Sequence, residues 1–384
     1  MQVTRFEKDG VAWELADELP LDAILSNAGN RVKESDVKLV TRHEIAGKTY
    51  YVKRYRHAAV PLRPLKFFFK PSQARQEWEL AQKIKAPVVK HLALGERWGF
   101  GLQESVLITE GFDGHEPTAA DADRVLEFVR QLHAAGVLQR DLHPGNILVG
   151  KELRLVDLHG TELRRPTASE IEENLARLRI FLPIDVPPNK NLEQQFYAHR
   201  ARRCLKRNRD FDRQDGWYCR KEFWKDEWRD TEAFFARAKI LKHGRTSLVG
   251  SADGVVMKQY SLRRPSRLIK DLFRRSRAVK AYLKAYHLEL VGIPTARPFA
   301  AGRRWFRSWF VMEEIQNVRQ ADSDAARKLI ARLHAAGFSH RDLKPSNIVA
   351  NDKGTYLIDL EGLRFLGEVS PEQRTKDLAR FERG

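Results

Sequence analysis

The sequence predicts an α+β protein made of two tandem copies of one domain, each with a small antiparallel β lobe followed by a helical lobe. The first supporting observation is a repeat: residues 131–150 (QLHAAGVLQRDLHPGNILVG) and 332–351 (RLHAAGFSHRDLKPSNIVAN) are identical at 11 of 20 positions. The second is that LRLVDLHG at 153–160 matches TYLIDLEG at 355–362. Because these motifs keep their order and spacing, we infer that a whole domain is duplicated.

The elements of each copy follow in the same order. A β-rich stretch comes first, and turn signals at Ala46-Gly47 and Asp253-Gly254 predict hairpins there. A strand with a central lysine follows, YYVKRY around Lys53 and VVMKQY around Lys258. The patterns SQARQEWELAQKIK and SRAVKAYLKAYHLELV then predict a helix. Strands ending in LITE and VMEE precede a periodic helix that runs into LHAAG in both copies.

These patterns predict four regions. We expect an N-terminal extension at 1–29, a first copy at 30–165, a basic, Trp-rich helical segment at 166–232 that completes the first copy, and a second copy at 233–384. The second copy has only a short stretch of chain after its last motif, so we expect its helical lobe to be shortened.

Composition restricts the classes of function. There are 69 Lys and Arg against 51 Asp and Glu, and the net charge of +18 implies attraction to an acidic partner such as nucleic acid, an anionic membrane or a phosphorylated glycolipid. Two cysteines cannot form the disulfide framework of a secreted scaffold or a Cys-rich metal site. No signal peptide or apolar run of membrane-spanning length is present, so we expect a cytoplasmic protein that touches a membrane from that side.

The repeated polar residues have the spacing of a phosphotransferase catalytic loop and metal-binding turn. In such a site Asp141 accepts the proton of the attacking hydroxyl, and Asn146 and Asp157 hold Mg²⁺ against the phosphates of the nucleotide. Lys53 on its strand neutralises phosphate charge. The second copy has equivalent residues at Lys258, Asp342, Asn347 and Asp359. Asp, Pro, Gly and Asn are also ordinary turn residues, but occurrence of the whole set twice disfavours that interpretation.

This set of residues resembles the protein-kinase-like superfamily. The VKRY and MKQY strands, the basic run before the first helix, GIPTARPFA, LHAAG and IDLEGLRF resemble more closely the lipopolysaccharide kinase (Kdo/WaaP) family. The resemblance implies tandem bilobal kinase domains that use ATP and Mg²⁺ to phosphorylate a sugar hydroxyl, of heptose or Kdo, in the lipopolysaccharide inner core. It places this reaction at the cytoplasmic face of the inner membrane. It also implies that Glu77 pairs with Lys53, and that Glu110 and Glu313 lie at the nucleotide site.

Several positions depart from the kinase pattern. Neither copy has a G-x-G-x-x-G loop, and the corresponding turns are at 33–36 and 243–247. Ala281 takes the place of Glu77 in the second copy, so we expect Lys258 to lack its partner. The first copy has Gln139 where the second has His340, which we interpret as loss of an orienting side chain. We expect the first copy to carry the activity.

The positive charge is concentrated in the two strand-to-helix connections. Residues 53–70 contain six Lys or Arg and no acid, and residues 262–280 contain eight with one Asp. We expect these connections to bring the protein to the anionic inner-leaflet surface. The basic residues concerned are Arg54, Arg56, Arg63, Lys66, Arg263, Arg264, Arg267, Arg274 and Arg275. The aromatic residues of the Phe67–Phe69 run and of 194–229 suit a headgroup region, although for any single Trp a place in a core is favoured.

Three other functions stay open at this stage. RDLHPGNILV also resembles small-molecule phosphotransferases such as aminoglycoside and choline kinases, which do not require so basic a chain. A protein kinase is disfavoured because the Gly-rich loop and an Ala-Pro-Glu segment are missing. A kinase-like scaffold or nucleic-acid-binding protein is disfavoured because both copies keep the Asp, Asn and Asp set. Nucleic acid is therefore the less favoured acidic partner, and the sequence predicts no oligomeric state.

Overall fold

A computed structural model describes residues 3–35, 37–60, 62–261, 275–304 and 306–383. The chain divides into two compact units, Met1–Asn189 and Lys190–Gly384. Each unit combines a seven-stranded antiparallel sheet with a smaller part that contains helices and short hairpins. The prediction of two tandem domains with a β lobe and a helical lobe is confirmed.

The sheet of the first unit has the strand order β1-β2-β6-β7-β5-β4-β3. Its strands are β1 (Thr4–Lys8), β2 (Val11–Leu15), β3 (Asn30–Glu34), β4 (Lys38–Ile45), β5 (Lys48–Arg56), β6 (His91–Gly99) and β7 (Gly101–Glu110). Helix α1 (Leu21–Ser26) follows β2, and α2 (Gln73–Lys83) connects β5 to β6. The predicted hairpin at Ala46-Gly47 joins β4 to β5, and both residues have positive φ angles, 49° and 75°.

The helical part of the first unit contains the catalytic-loop region. Its helices are α3 (Ala122–Ala134) and α4 (Ala168–Arg179), and its short strands are β8 (Val137–Gln139), β9 (Ile147–Val149), β10 (Leu153–Leu155) and β11 (Thr161–Leu163). β8 pairs with β11, and β9 pairs with β10. The two pairs hold the ends of the loop that runs from residue 140 to 146.

The second unit repeats this arrangement with the strand order β12-β13-β17-β18-β16-β15-β14. The sheet is formed by β12 (Phe211–Gln214), β13 (Trp217–Arg220), β14 (Lys239–Gly244), β15 (Ser247–Ala252), β16 (Val255–Ser261), β17 (Pro298–Arg304) and β18 (Arg307–Glu313). The short strands are β19 (Arg319–Gln320), β20 (Phe338–His340), β21 (Ile348–Asn351), β22 (Gly354–Leu357) and β23 (Leu363–Phe365). The helices are α5 (Lys190–Ala201), α6 (Thr231–Arg237), α7 (Arg277–Leu290), α8 (Ser323–Ala335) and α9 (Pro371–Arg383).

An N-terminal hairpin begins each repeat, which differs from the boundaries expected at 30 and 233. β2 hydrogen-bonds to β6, and β13 hydrogen-bonds to β17 in the same manner. In both sheets a tryptophan lies across from a glycine, Trp13 opposite Gly95 and Trp217 opposite Gly302. A Cβ on Gly95 would lie 2.8 Å from the Trp13 ring, and one on Gly302 would lie 2.4 Å from Trp217. The indole therefore requires a glycine beneath it, and in each unit the hairpin that carries the tryptophan belongs to the seven-stranded sheet.

The segment expected at 166–232 to complete the first copy divides between the units. Helix α4 packs on α3 in the first unit, whereas α5 packs on α7 in the second, and β12 and β13 join the second sheet. Each unit has one short strand and one helix after its metal turn, β11 and α4 or β23 and α9. The short helical lobe expected for the second copy is therefore a property of both units.

The tryptophans of 194–229 belong to a core. Trp217 and Trp228 are buried in a cluster that also contains Trp309 and Cys219, and Trp224 packs against it. Trp217 stacks on Trp309 with 6.0 Å between ring centroids. These rings are therefore unavailable to a membrane, which agrees with the core interpretation favoured for a single Trp.

Several buried histidines make the stability of the protein sensitive to acid, and His91 and His287 are two of them. Burial lowers the pKa of His91 on β6 and of His287 on α7 to about 4, from 6.5. Between pH 6.5 and 4 the folded chain therefore binds fewer protons than the unfolded chain, and the free energy of unfolding falls as the pH falls. We expect up to about 3 kcal/mol of loss per histidine.

Denaturant titrations at pH 7 and pH 4.5 measure this loss. In the His287→Leu variant the dependence on pH should be smaller, because the ring between Phe338 and Phe365 is replaced by a side chain that cannot be protonated. An equal dependence in both proteins would contradict the assignment.

Candidate active site

The buried lysine of the central strand forms the first part of the site in the first unit. Lys53 on β5 places its Nζ 2.8 Å from Oε2 of Glu77 on α2, and both side chains are almost inaccessible to water. Helix α2 begins after Ser72, whose hydroxyl accepts a hydrogen bond from the Arg75 N–H, so its first turns have a fixed start. The structure thus brings together the pair that the sequence predicted.

Glu77 is held by more than one donor. Its Oε1 accepts hydrogen bonds from the Tyr55 hydroxyl at 3.2 Å and from the Gln73 amide at 3.3 Å. Burial alone would lower the pKa of Lys53, but the carboxylates of Glu77 and Asp157 outweigh it and raise that pKa. Lys53 therefore carries a positive charge at neutral pH in a site from which water is largely excluded.

The catalytic loop connects Asp141 to the metal turn, which we define as residues 157–160 in the first unit and 359–362 in the second. The Gln139 side-chain carbonyl accepts a hydrogen bond from the Asp141 backbone N–H at 3.0 Å, and its amide donates to the Asp157 carbonyl at 2.7 Å. Asn146 donates from Nδ2 to the Asp141 carbonyl at 2.9 Å. Asp141, Asn146 and Asp157 therefore lie together, as the sequence predicted.

Asp157 is prepared to bind a cation. Burial tends to raise its pKa, but Lys53, the backbone N–H of His159 and Lys38 together hold that pKa below the usual value. Its Oδ1 accepts from the His159 N–H at 3.0 Å. In the described part of the chain Asp157 forms no ion pair, so its carboxylate is ionised and available at neutral pH.

Lys38 is a site residue that the sequence analysis missed. It is the first residue of β4, directly after the turn that replaces a Gly-rich loop, and its Nζ lies 5.0 Å from the centre of the Tyr55 ring. Burial, with the nearby charge of Lys53, lowers its pKa. Its ammonium has no carboxylate partner among the described residues. The sequence feature that could have indicated Lys38 is its position, because it is the first strand residue after the turn at 33–36.

In each unit a residue of the helix after the metal turn forms hydrogen bonds that hold the start of the catalytic loop. Asn174 on α4 donates to the Gln139 carbonyl at 2.7 Å and bonds the His133 ring at 3.0 Å. In the second unit Asp377 on α9 accepts a hydrogen bond from the His340 N–H and bonds the His334 ring, both at 3.2 Å. Neither Asn174 nor Asp377 belongs to a repeated motif, so no pattern in the sequence singles them out.

Comparison with known proteins decides the family. The model of the lipopolysaccharide kinase (Kdo/WaaP) family matches residues 19–198 and 226–384, one match for most of each unit. The chain belongs to the lipopolysaccharide kinase (Kdo/WaaP) family. It is therefore a kinase, and the resemblance that the motifs indicated is confirmed.

Three solved structures that are similar to parts of this kinase have TM-scores of 0.31, 0.30 and 0.30. WaaP in complex with acyl carrier protein is 20% identical at a TM-score of 0.31, over 57% of this chain and 93% of that one. WbdD is 16% identical at 0.30, over 37% and 36%. The Legionella pneumophila Lpg2603 kinase bound to IP6 is 18% identical at 0.30, over 46% and 70%. None of the curated proteins compared with this kinase matches it.

The second unit of the kinase repeats the catalytic loop with a histidine. His340 accepts from the Asp342 N–H at 3.3 Å and bonds the Asp359 carbonyl through Nε2 at 2.6 Å. Asn347 donates to the Asp342 carbonyl at 2.8 Å. Gln139 makes the same two bonds in the first unit, so the expected loss of an orienting side chain there is wrong: an amide spans the same two groups as an imidazole.

The lysine of the second unit has different partners. Ala281 is the fifth residue after the cap Ser276 of α7, as Glu77 is the fifth after Ser72, so the helix carboxylate is absent as expected. Lys258 is nevertheless paired, because its Nζ lies 3.0 Å from Oε1 of Glu361 and 3.4 Å from Oδ1 of Asp359. The expectation that Lys258 lacks a partner is therefore wrong.

The remaining predicted residues are placed as follows. Glu110 and Glu313 end the strands β7 and β18, next to the central lysine strand of each sheet. Arg54 and Arg56 pair with Glu104 and Glu34. Arg275 is exposed. Arg263, Arg264, Arg267 and Arg274 lie outside the described residues.

No helix in the described ranges combines the length and the apolar composition that crossing a membrane requires.

Proposed function

We propose that this kinase transfers the γ-phosphoryl group of ATP to a sugar hydroxyl, of heptose or Kdo, in the lipopolysaccharide inner core. The observation that carries the proposal is the first-unit site, in which Lys53 pairs with Glu77 while Asp141, Asn146 and Asp157 are held together through Gln139. Family membership supplies the class of acceptor. Such an arrangement supports phosphoryl transfer by positioning and by charge stabilisation.

Each predicted site residue then has one role in phosphoryl transfer. Asp141 accepts the proton of the acceptor hydroxyl. The oxygen of that hydroxyl bonds to the γ-phosphorus, and the bond between this phosphorus and the oxygen that leaves with ADP breaks. Lys53, oriented by Glu77, and Lys38 place positive charge near the phosphates. The Glu110 and Glu313 strand ends border the nucleotide.

Asn146 and Asp157 fit a magnesium ion. Asn146 uses its amide nitrogen to donate to Asp141, its side-chain oxygen accepts no hydrogen bond from the described residues, and Asp157 is ionised. Hard oxygen donors of this kind suit Mg²⁺, which when bound neutralises charge on the phosphates. No group of three or more His, Cys, Asp or Glu that could hold a metal ion is found within the described ranges.

Lys38 provides a direct test of nucleotide binding. We expect Lys38→Met to raise both the Kd and the KM for ATP about tenfold, because one partly buried cation near phosphate contributes about 1.4 kcal/mol. The value of kcat should change little. The exposed Lys48, at the hairpin end of β5, gives a matched control, and Lys48→Met should leave both constants unchanged. Equal effects of the two variants would show that Lys38 acts through general charge only.

A basic and aromatic surface of the first unit fits the location of the acceptor. Phe69, Phe100 and Leu62 are 92%, 84% and 79% exposed, and the Phe68 ring lies 5.7 Å from the ring of Trp98. The strand start at Gly101 lies directly against Pro64, so the tip between β6 and β7 and the segment 62–70 form one surface. We define the basic-aromatic surface by Leu62, Arg63, Lys66, Phe68, Phe69, Lys70, Trp98 and Phe100.

This composition suits the inner leaflet, because cations are attracted to anionic headgroups and aromatic rings settle at the boundary. Among the described residues Arg63, Lys66 and Lys70 form no ion pair. The proposal that the kinase acts at the cytoplasmic face of the inner membrane therefore rests on this surface of the first unit.

Transfer from labelled ATP tests the proposal. Purified protein with Mg²⁺ is offered deacylated lipopolysaccharide core, choline, an aminoglycoside and a generic protein substrate in parallel. We expect label in the core oligosaccharide alone, at a heptose or Kdo hydroxyl. Label in choline or the aminoglycoside would establish the small-molecule alternative, and nucleotide binding without transfer to any acceptor would establish a kinase-like scaffold.

A further inference from the structure

A glutamate of the second unit occupies a position that has no acid in the first. Glu361 lies two residues after Asp359, where the first unit has His159 two residues after Asp157. Its Oε1 is 3.0 Å from Nζ of Lys258, and its Oε2 accepts a hydrogen bond from the Arg277 guanidinium at 2.5 Å. One carboxylate thus bridges two cations from different elements.

These contacts join three elements, whereas the ion pair of the first unit joins only the strand and the helix. Lys258 is on β16, Arg277 begins α7, and Glu361 is in the metal turn. In the first unit the helix supplies the carboxylate, Glu77, to the strand lysine. In the second unit the helix supplies a cation and the turn supplies the carboxylate. The carboxylate that pairs with the strand lysine is therefore on the helix in the first unit and in the turn in the second.

A further cation fixes the backbone of the turn. Lys284 on α7 donates hydrogen bonds to the carbonyls of Leu360 and Glu361, both at 2.9 Å. The corresponding residue of α2, eight positions after the capping serine, is the apolar Leu80. Lys284 therefore accompanies Glu361 as a feature of the second unit, and it holds the turn against the helix.

We propose that Glu361 is the positioning carboxylate of a second magnesium–nucleotide site in the second unit, in place of the helix glutamate that this unit lacks. The inference rests on the proposed function, because it takes ATP as the ligand. Glu361 lies closer to Lys258 than Asp359 does, at 3.0 Å against 3.4 Å. Because Glu361 also pairs with Lys258, Asp359 is not the only carboxylate that balances the charge of this lysine. Asp359 can therefore bind a metal ion.

Binding of a fluorescent ATP analogue to the full-length chain tests this inference. The first site is disabled by Lys53→Met with Asp157→Ala, so that the magnesium-dependent signal reports the second unit. We expect Glu361→Gln to weaken this binding at least tenfold. The exposed Glu368, in the same region, provides the control, and Glu368→Gln should bind as the parent does.

Rescue distinguishes positioning from a general effect on the fold. Ala281→Glu with Glu361→His rebuilds the arrangement of the first unit, and we expect it to bind within about threefold of the parent. Should Glu361→Gln fail to fold, as judged by circular dichroism, Arg277→Met removes only one arm of the bridge and should weaken binding severalfold. Unchanged or tighter binding in a folded Glu361→Gln or Arg277→Met variant would overturn the inference.

Stoichiometry in the unsubstituted protein separates this inference from the proposed function. Two analogue molecules per chain are expected. One molecule per chain, abolished by the Lys53→Met and Asp157→Ala changes, would leave the proposed function intact and overturn the second site. No magnesium-dependent binding at either unit would contradict the proposed function itself, and the second site with it.

Discussion

Asp141→Asn is expected to lower kcat by a factor of about 10³ or more, with little change in the KM for ATP. An amide of the same shape cannot take the proton of the acceptor hydroxyl, and a positioned base contributes about 10² to 10⁴ in rate. The hydrogen bond to the Gln139 side chain uses the Asp141 backbone N–H and not its carboxylate, so the loop should keep its geometry in the variant. Asp157→Ala should cost a similar factor, because charge in the transition state would go uncompensated.

The matched control is Asp342→Asn in the second unit, which we expect to keep kcat within about threefold of the parent. The reason is that only the first unit has the helix carboxylate: Glu77 lies 2.8 Å from Lys53, whereas Ala281 takes the equivalent position in the second unit. Initial rates of core phosphorylation at saturating ATP measure both variants, with thermal melting as the check on folding. Full activity in Asp141→Asn together with loss in Asp342→Asn would reverse the roles of the units.

The parts of the site that the sequence predicted are those encoded by short motifs in a fixed order. Lys53, Glu77, Asp141, Asn146 and Asp157 each belong to a segment that is repeated or has a recognisable place on a helix or strand. Backbone elements position these residues, and the hydrophobic period of the elements is visible in the sequence. The prediction therefore needed no knowledge of side-chain geometry.

The start of each repeat was missed because a hairpin does not reveal which sheet it joins. Asp9-Gly10 and Asp215-Gly216 are the strongest short hairpin signals, and all four residues have positive φ angles. The long-range partner is specified instead by the tryptophan on each hairpin and the glycine across from it, Gly95 or Gly302. Those residues are separated by more than 80 positions in the chain, beyond the reach of a local pattern.

The sequence also did not predict contacts that depend on how far a side chain extends toward a distant part of the chain. Gln139 and His340 look unlike each other, yet both accept from an aspartate N–H and bond the carbonyl of the metal turn. Glu361 reaches Lys258 across the fold, although alignment of the helices alone left that lysine without a partner. Composition was equally ambiguous for aromatic rings, since Trp217 is in a core while Phe69 is exposed.

Removal of three cations from the basic-aromatic surface is expected to weaken binding to anionic vesicles about 100-fold. Arg63, Lys66 and Lys70 form no ion pair among the described residues, so their charge is available to lipid headgroups. Each near-surface cation contributes about 1 kcal/mol on an anionic bilayer, and the triple change to Ser therefore removes about 3 kcal/mol. Screening acts over about 8 Å at physiological salt and about 3 Å at 1 M, so binding of the parent should also fall steeply with salt.

Co-sedimentation with anionic and neutral vesicles at low and high salt measures this effect. The control replaces Arg130, Lys151 and Arg165 by Ser; these are exposed residues of the same unit, so the net charge changes equally while the basic-aromatic surface stays intact. A double change of Phe69 and Phe100 to Ser should weaken binding with less dependence on salt, because it removes apolar contact alone. Equal losses in the two triple variants would show that only total charge matters. Parent binding that is equal on neutral and anionic vesicles would assign the surface to another acidic partner, and nucleic acid would be the first to test.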